Sequence, residues 1–442
     1  MINKIYTERG LLYGPSVGVF FSVKISGSPN LEELKSAINF AVNRFEILRC
    51  RVLHDDEGQA YYVLRENRCN PSIEVRNYHL SNQDFVNEQE QIPFRFDEGE
   101  LIRFVIENLD GDDLLLRIVN HHLGGDGRSI LILIDEIMNN LEKIEKGTFS
   151  YKDASMIPLT VLSKSYLNSE IKMNDLLVYS MNEFNRKWEK EKVVFSYEDY
   201  LNMFYKYWST NSTKVKSVEL HKNELYEFKR LCRKHQVSVN SAIITAISKE
   251  IEETKKVSIV VEARPKDYKG MGNFAGSIVI TIGYDKEQDF WENAKYIHNQ
   301  IHSQISNRMN SMFSLVFRGL IDDNFQDAIN FDLAGCFDSQ VVKEYNELYG
   351  LKKSNVPFVI SNLGVAKIKK NYGRFKVEKI DFVSPLIPGM DGNLGIITVN
   401  DTMVLNAEYR EDAKCNLGTI VENVIHQFKL GQKELLSEKV SC

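Results

Sequence analysis

Two adjacent histidines, His121-His122, followed by Leu123, Gly124-Gly125 and Asp126-Gly127, are the chain's clearest concentration of reactive side chains. Imidazole titrates near neutrality, so such a residue can take a proton from a hydroxyl or amine, which is general-base work. The pair ends an apolar run, LLLRIVN (114–120), that reads as a strand. Strand alternation directs His121 and His122 to opposite faces, so one ring can enter a cleft while the other packs inside. The competing structural reading is a buried, satisfied histidine pair beside a Gly-rich turn. The turn leads into a predicted helix over about 128–142, with Asp126 at its mouth.

Three further patterns invite chemistry, and each has a plainer explanation. GPSVG (14–18) satisfies the G-x-S-x-G pattern of a nucleophile elbow around Ser16. That motif needs a strand before it and a helix after it. Here a strand-like VFFSVKI follows instead, so a turn into the first strand is the better reading. HNQIH (298–302) places His298 and His302 four apart on a predicted helix, a spacing that can hold zinc. Asn299 stands where a zinc protease of the H-E-x-x-H type needs Glu, and no third ligand is evident. The basic cluster Lys367, Lys369, Lys370, Arg374, Lys376 and Lys379 reads either as a solvated edge hairpin or as a patch for phosphates or an acidic carrier surface.

The elements around these residues have an α/β rhythm. VGVFFSVKI (17–25) is a predicted strand, and Asn30 a plausible cap for a helix with Leu31, Leu34, Ile38, Ala41, Val42 and Phe45 on one face. QAYYVL (59–64) and IRFVIENL (102–109) are further strands. A polar, aromatic stretch over about 145–214 reads as a connection with helical pieces. From Ser217 the pattern starts again: KSVEL, the helix HKNELYEFKRLCRKH, and VSVNSAIITAISKEI with Asn240 a possible cap. VSIVVEARP, the loop GMGNFAGS, IVITI, a helix over 288–309, PFVISNLG, a hairpin through KIKKNYGRFKVEKI, LGIITVN, MVLNAEY and a last helix near 417–430 follow. Two halves of similar order suggest paired α/β subdomains.

Composition narrows the function classes. The 442 residues suit two domains of middle size, and 43% hydrophobic with 26% charged residues is a globular balance. A net charge of −6 argues against a nucleic-acid binder. The cysteines Cys50, Cys69, Cys232, Cys336, Cys415 and Cys442 show no paired spacing, and the opening residues show no signal-peptide pattern. A cytoplasmic protein with reduced thiols, no metal and no membrane span is expected.

His121-His122-Leu123-Gly124-Gly125-Asp126-Gly127 matches HHxxxDG, and the chain resembles the chloramphenicol acetyltransferase-like superfamily. That group includes condensation domains of nonribosomal peptide synthetases, polyketide-associated acyltransferases, alcohol acetyltransferases and plant BAHD enzymes. NLEELKSAINFAVNRFEILRCRV is similar to the family's early helix and strand, VEARPKDYKGMGNFAGS to its Arg-then-G-x-F segment, and SNLG (361–364) to a late-strand turn. The resemblance implies an α/β (α+β) fold of two subdomains forming a V around a central tunnel. The expected division is 1–155 carrying the motif, a connecting helical segment 156–214, and 215–442.

By the same resemblance His122 is the general base, Asp126 pairs with Arg264, and His121 and Gly127 shape the loop. Backbone N–H groups of Gly124-Gly125, or the side chains of Asn273 or Ser361, are candidate oxyanion donors. Lys369, Lys370 and Arg374 are candidates for docking the donor. The expected reaction is acyl transfer from acyl-CoA or an acyl-carrier protein to a hydroxyl, with no other cofactor and the protein a monomer. Amide formation between carrier-bound or free amine substrates is the alternative. The Arg-x-Trp opening of condensation domains is not recognisable in INKIYTERGLLYG, and the BAHD motif DFGWG survives only as Asp381-Phe382. Outside this class, a ligand-holding relative without catalysis would not need His122, and a zinc hydrolase would use His298 and His302.

Overall fold

The computed structural model describes residues 2–109, 113–150, 155–251, 253–351, 358–413 and 416–438. Two mixed six-stranded sheets organise it. The first runs, edge to edge, through Asn371–Tyr372, Phe375–Val383, Gly18–Ser26, Leu114–His121, Ile102–Asn108 and Ser72–Arg76. Neighbours are antiparallel except the last pair. The second sheet runs through Ala275–Ile282, Lys255–Glu262, Phe358–Val365, Gly392–Val399, Thr402–Arg410 and Thr213–Leu220, with Phe358–Val365 parallel to both neighbours. A small sheet of Ile2–Lys4, Ala60–Leu64 and Cys50–His54 stands beside them.

Sequence pattern explains the main packing. In the helix Leu31–Arg44, Leu34, Ala37, Ile38, Ala41 and Val42 are buried at helical spacing, and Asn30 caps the start by accepting from Glu32 and Glu33 N–H. The helix Gly127–Glu145 buries Ile130, Leu133, Ile134, Ile137 and Leu141 on one side and packs against it. Fully burying an aliphatic side chain of this kind contributes about 1.5–3 kcal/mol, so these two stripes hold both helices to the first sheet. The segment 156–214 contains three helices, Lys164–Glu170, Asp175–Trp188 and Tyr197–Trp208.

Three expectations need correction. The cap of the helix Val239–Glu250 is Ser238, whose hydroxyl accepts from Ser241 N–H; Asn240 lies one residue inside. The predicted helix over 288–309 ends at Ser306, and Asn307 then caps a second helix, Arg308–Arg318. Two more helices follow, Asp323–Leu333 and Gln340–Tyr349, in a stretch without an assigned element above. The expected subdomain 215–442 also gives its hairpin away: Phe375–Val383 pairs with Gly18–Ser26 in the first sheet. The described cysteines, Cys50, Cys69, Cys232 and Cys336, are free thiols; Cys415 and Cys442 lie outside the described residues.

Candidate active site

The motif strand stops at His121, and His122–Gly124 form a 3-10 turn that leads through Gly125 into the helix Gly127–Glu145. The two histidines therefore part because the backbone leaves the sheet, and not by strand alternation as expected from sequence. Gly125 has φ +144, a conformation that side-chain-bearing residues rarely adopt. Asn120 staples this turn, its amide donating to the carbonyls of His121 at 2.8 Å and Gly125 at 2.9 Å.

His121 is fully buried. Its Nδ1 accepts the Leu123 N–H at 3.0 Å, and Phe94 and Phe96 turn edge-on to the ring with centroids 5.1 and 5.9 Å away. Burial, aided by His122 and Arg103, lowers its pKa to about 3, so the ring stays neutral.

His122 is only partly buried. Its backbone N–H donates to Val17 O at 3.1 Å. Nδ1 is buried beside the residue's own carbonyl, which leaves the Nε2 edge as the open side of the ring. Burial lowers its pKa; Asp126 and its own carbonyl oppose that, and the Arg318 charge adds to it. A neutral imidazole with a free Nε2 lone pair is the form that a general base requires.

Asp126 turns to the other sheet. Its carboxylate caps the motif helix through Ser129 N–H at 2.8 Å and pairs with Arg264 at 2.9 Å. It also accepts from Ser129 Oγ at 2.9 Å and Phe274 N–H at 2.9 Å. Its own N–H donates to Gly272 O at 3.1 Å. Arg264 further donates to Gly270 O at 2.5 Å and Ser129 Oγ at 3.0 Å, and lies 4.4 Å from the Phe274 ring centroid. The pair thus ties the motif helix to the loop between strands Lys255–Glu262 and Ala275–Ile282. The strand end Phe358–Val365 approaches as well: a Cβ on Gly127 would stand 3.0 Å from Leu363.

The other candidates separate. Gly125 N–H already donates to His122 O at 3.3 Å, so it is engaged within the loop that Gly124 shares. Asn273 is buried next to Gly272, and its Oδ1 accepts Ala275 N–H at 3.3 Å, which leaves its amide N–H groups as donors. Ser361 is buried on the strand that carries Leu363. Lys369, Lys370 and Arg374 stand at the far end of the motif helix: Lys369 donates to Asn139 at 2.6 Å and Arg374 pairs with Glu145 at 3.1 Å, while Lys370 is exposed. Ser16 donates to Glu90 at 3.2 Å from a turn before its strand. His298 Nδ1 lies 3.3 Å from Ser238 N–H, His302 is exposed, and no group of three or more metal-ligating side chains occurs among the described residues.

Sequence reasoning missed Asn120, Ser129 and Arg318. Ser129, three residues after a capping Asp, carried a readable signal. Asn120 carried none, because its bonds to the His121 and Gly125 carbonyls follow from the turn's backbone path and not from a sequence spacing. Arg318 carried none, because it has no side-chain partner among the described residues.

The two-sheet architecture with a histidine turn at its junction defines a class: it is the condensation-like fold of HHxxxDG proteins. Residues 19–156 match the Condensation domain family. The whole fold resembles the TRI3 trichothecene 15-O-acetyltransferase of Fusarium sporotrichioides, with TM-score 0.65 and 12% identity over 97% of this chain and 94% of that one. Polyketide synthase associated protein 5 of Mycobacterium tuberculosis gives TM-score 0.61 and 12% identity over 97% and 98%. The first condensation domain of the CDA synthetase gives 0.59 and 12% over 96% and 94%. The chain thus shares its whole fold with these acetyltransferase and condensation-domain structures, and the family match covers its first third.

In sequence, 127 residues are 25% identical to one of the plipastatin synthase proteins of Bacillus subtilis, covering 28% of this chain and 5% of that protein. A 168-residue stretch is 27% identical to phosphinothricin tripeptide synthetase PhsC of Streptomyces viridochromogenes, covering 36% and 15%. The chain thus spans a small part of these synthetases. Among the described residues no helix is long and apolar enough to cross a membrane.

Proposed function

We propose that the protein transfers an acyl group from a thioester, carried by coenzyme A or a phosphopantetheinyl carrier protein, to a hydroxyl acceptor. The observation that supports this is the half-open His122 ring, neutral through burial and with Nε2 free, at the junction of the two sheets. Nε2 takes the acceptor proton as the oxygen attacks the thioester carbonyl. The tetrahedral intermediate then collapses, the C–S bond breaks, and the proton passes from His122 to the departing thiolate. No covalent acyl-enzyme is needed, because a thiolate leaves readily. Asn273 and Ser361 are the side chains proposed to stabilise the oxyanion. No cofactor beyond the thioester co-substrate is invoked.

The match of residues 19–156 to the Condensation domain family favours a second reading, amide formation with an amine acceptor, by the same proton path. Thiol release measured across a panel of acyl-CoA and acyl-carrier donors, with and without alcohols and amines, tests both. Release that depends on an alcohol supports the first reading and release that depends on an amine the second; release with neither removes both. Donor docking on Lys369, Lys370 and Arg374 is part of the proposal. Because Lys369 and Arg374 hold the motif helix, Lys370→Glu is the informative variant, expected to raise the donor KM and leave the acceptor KM unchanged.

A further inference from the structure

The guanidinium of Arg318 is unusual among the interior arginines. Arg9 pairs with Asp327, Arg76 with Glu74 and Glu88, Arg117 with Glu107 and Arg264 with Asp126. Arg103 has Glu100 and the Ile92 carbonyl. Arg318, the last residue of the helix Arg308–Arg318, makes no side-chain hydrogen bond or ion pair among the described residues. Its side chain is partly buried, and its atoms are not sealed off. An arginine without a protein partner, sunk where water is scarce, is costly to maintain unless a ligand uses it.

Its place in the fold is the motif turn. The residues after it are pinned to the N-terminal segment: Tyr6 donates to Gly319 O at 2.7 Å and Gln326 to Arg318 O at 3.1 Å, and the side chain of Gln326 lies against Gly10. The helix Arg9–Leu12 that follows packs on His122–Gly124, and Tyr62 beneath it donates to Leu123 O at 3.0 Å. The Arg318 charge acts on both His122 and Glu8. Glu8 is itself buried, takes a hydrogen bond from Thr7 Oγ1 at 2.9 Å, and makes no ion pair with Arg318.

We propose that Arg318 receives a carboxylate carried by one of the two substrates that meet at His122, so that the enzyme acts on an anionic acceptor or an anionic acyl group. The inference rests on the acyl-transfer reading. A pantetheine arm is uncharged next to its thioester, with its phosphate at the far end, so an anion this close to His122 belongs to the acyl group or the acceptor. A single guanidinium matches a carboxylate in a two-pronged hydrogen bond. With Glu8 nearby, a dianion would meet repulsion that a singly charged group avoids.

The test uses the full chain and two matched pairs of probes. One pair is 3-hydroxybutyrate and its methyl ester as acceptors with acetyl-CoA. The other is succinyl-CoA and butyryl-CoA as donors. In the parent protein kcat/KM is expected to favour the carboxylate member of one pair by roughly 10- to 100-fold, the worth of charge-assisted hydrogen bonds. Arg318→Gln is expected to abolish that ratio and Arg318→Lys to keep part of it. The pair that responds identifies the substrate carrying the carboxylate.

Calorimetric binding of the same probes to His122→Ala protein, with and without Arg318→Gln, reads the subsite without turnover. Carboxylate binding that depends on Arg318, with no donor consumed by the parent protein, would keep the subsite and remove the acyl-transfer reading. A preference that survives Arg318→Gln, or no preference for either pair in binding, overturns the proposal. Melting separates the remaining role. Arg318→Gln is expected to melt at or above the parent temperature, because no protein partner is lost. A lower melting temperature restored by adding Glu8→Gln would make Arg318 only the counter-ion of Glu8, and would overturn the proposal as well.

Discussion

At the scale of single residues, the two motif histidines have the same side chain and opposite surroundings. His122 keeps one ring edge open, so under the acyl-transfer proposal its removal strikes the chemistry. His122→Ala is expected to fold as the parent does and to lose roughly 10²–10⁴-fold in transfer rate; more than a tenth of the parent rate at saturating donor would exclude the base role. Burial depresses its pKa, so the active neutral form persists as pH falls below the ordinary histidine value of about 6.5. The acid limb of kcat/KM should therefore lie below that pH. His121, by contrast, governs stability. Its folded pKa of about 3 lies below the unfolded value, so the unfolded chain gains a proton first as pH drops. The contribution of His121 to stability should be undiminished above about pH 6.5 and decline towards pH 3, by roughly 4–5 kcal/mol over the full window. His121→Asn offers an acceptor for Leu123 N–H without that titration, and urea melts at pH 7 and 4.5 should show a smaller acid loss than in the parent.

At the scale of elements, Asp126 acts as a joint. It caps the motif helix and holds Arg264 across the sheet junction, with side-chain exposures of only 8% and 10%. Removing one partner strands a buried charge, at about 3–5 kcal/mol. Asp126→Ala and Arg264→Ala should each lower the melting temperature as well as the rate. The double variant should be less damaged than the two losses added, because neither charge is left alone. An Asp126→Ala protein as stable as the parent but as inactive as His122→Ala would make Asp126 an orienter of the base instead. This joint was legible in sequence through the resemblance, since an Asp four residues after His122 and an Arg before a Gly-rich loop stood at matching places. The strands 18–26, 102–108 and 114–121 were legible from apolar runs, and Leu31–Arg44 from its stripe and cap. What was hidden had physical reasons. The turn at His122 departs from the strand under Asn120 and Gly125, whose effect depends on hydrogen bonds rather than on periodicity. The helices over 308–349 bury polar residues such as Asn324, Gln326, Asp327 and Asp332, which blurs the apolar pattern that a helix search uses.

At the scale of the whole molecule, the two sheets are not filled by two separate halves of the chain. The hairpin 371–383 crosses to the first sheet, and Gly395 of the second comes so close to Phe382 that a Cβ there would lie 2.4 Å from its carbonyl. Linear order could not reveal this exchange, because a strand's apolar pattern does not name its neighbour. The junction holds a second feature that no local pattern shows: two buried carboxyls, Glu90 from the helix Asn82–Glu90 and Glu408 from the strand Thr402–Arg410. Ser16 and Thr213 donate to Glu90 at 3.2 and 2.7 Å, and Arg410 is the cation nearby, occupied with Tyr207, Asn211 and the Met390 carbonyl. Burial raises both carboxyls, Glu90 to about 7; the Glu90 charge raises Glu408 further, while the contact with Glu408 eases ionisation of Glu90, so the pair holds a proton where free glutamates would not. The unfolded chain releases these protons near pH 4.5, before the folded one does. Stability from this pair is therefore complete at low pH and declines as pH rises through about 4.5–7, by about 3 kcal/mol for a shift of the size seen at Glu90. His121 changes stability in the opposite direction over an overlapping range, so the parent curve alone cannot isolate the pair. Glu408→Gln does, because its amide keeps a hydrogen-bonding group beside Glu90 and removes the like charge. Relative to the parent, the variant should gain stability between pH 5 and pH 8 in urea melts. An unchanged difference between variant and parent across that interval would mean that the two carboxyls do not share a proton.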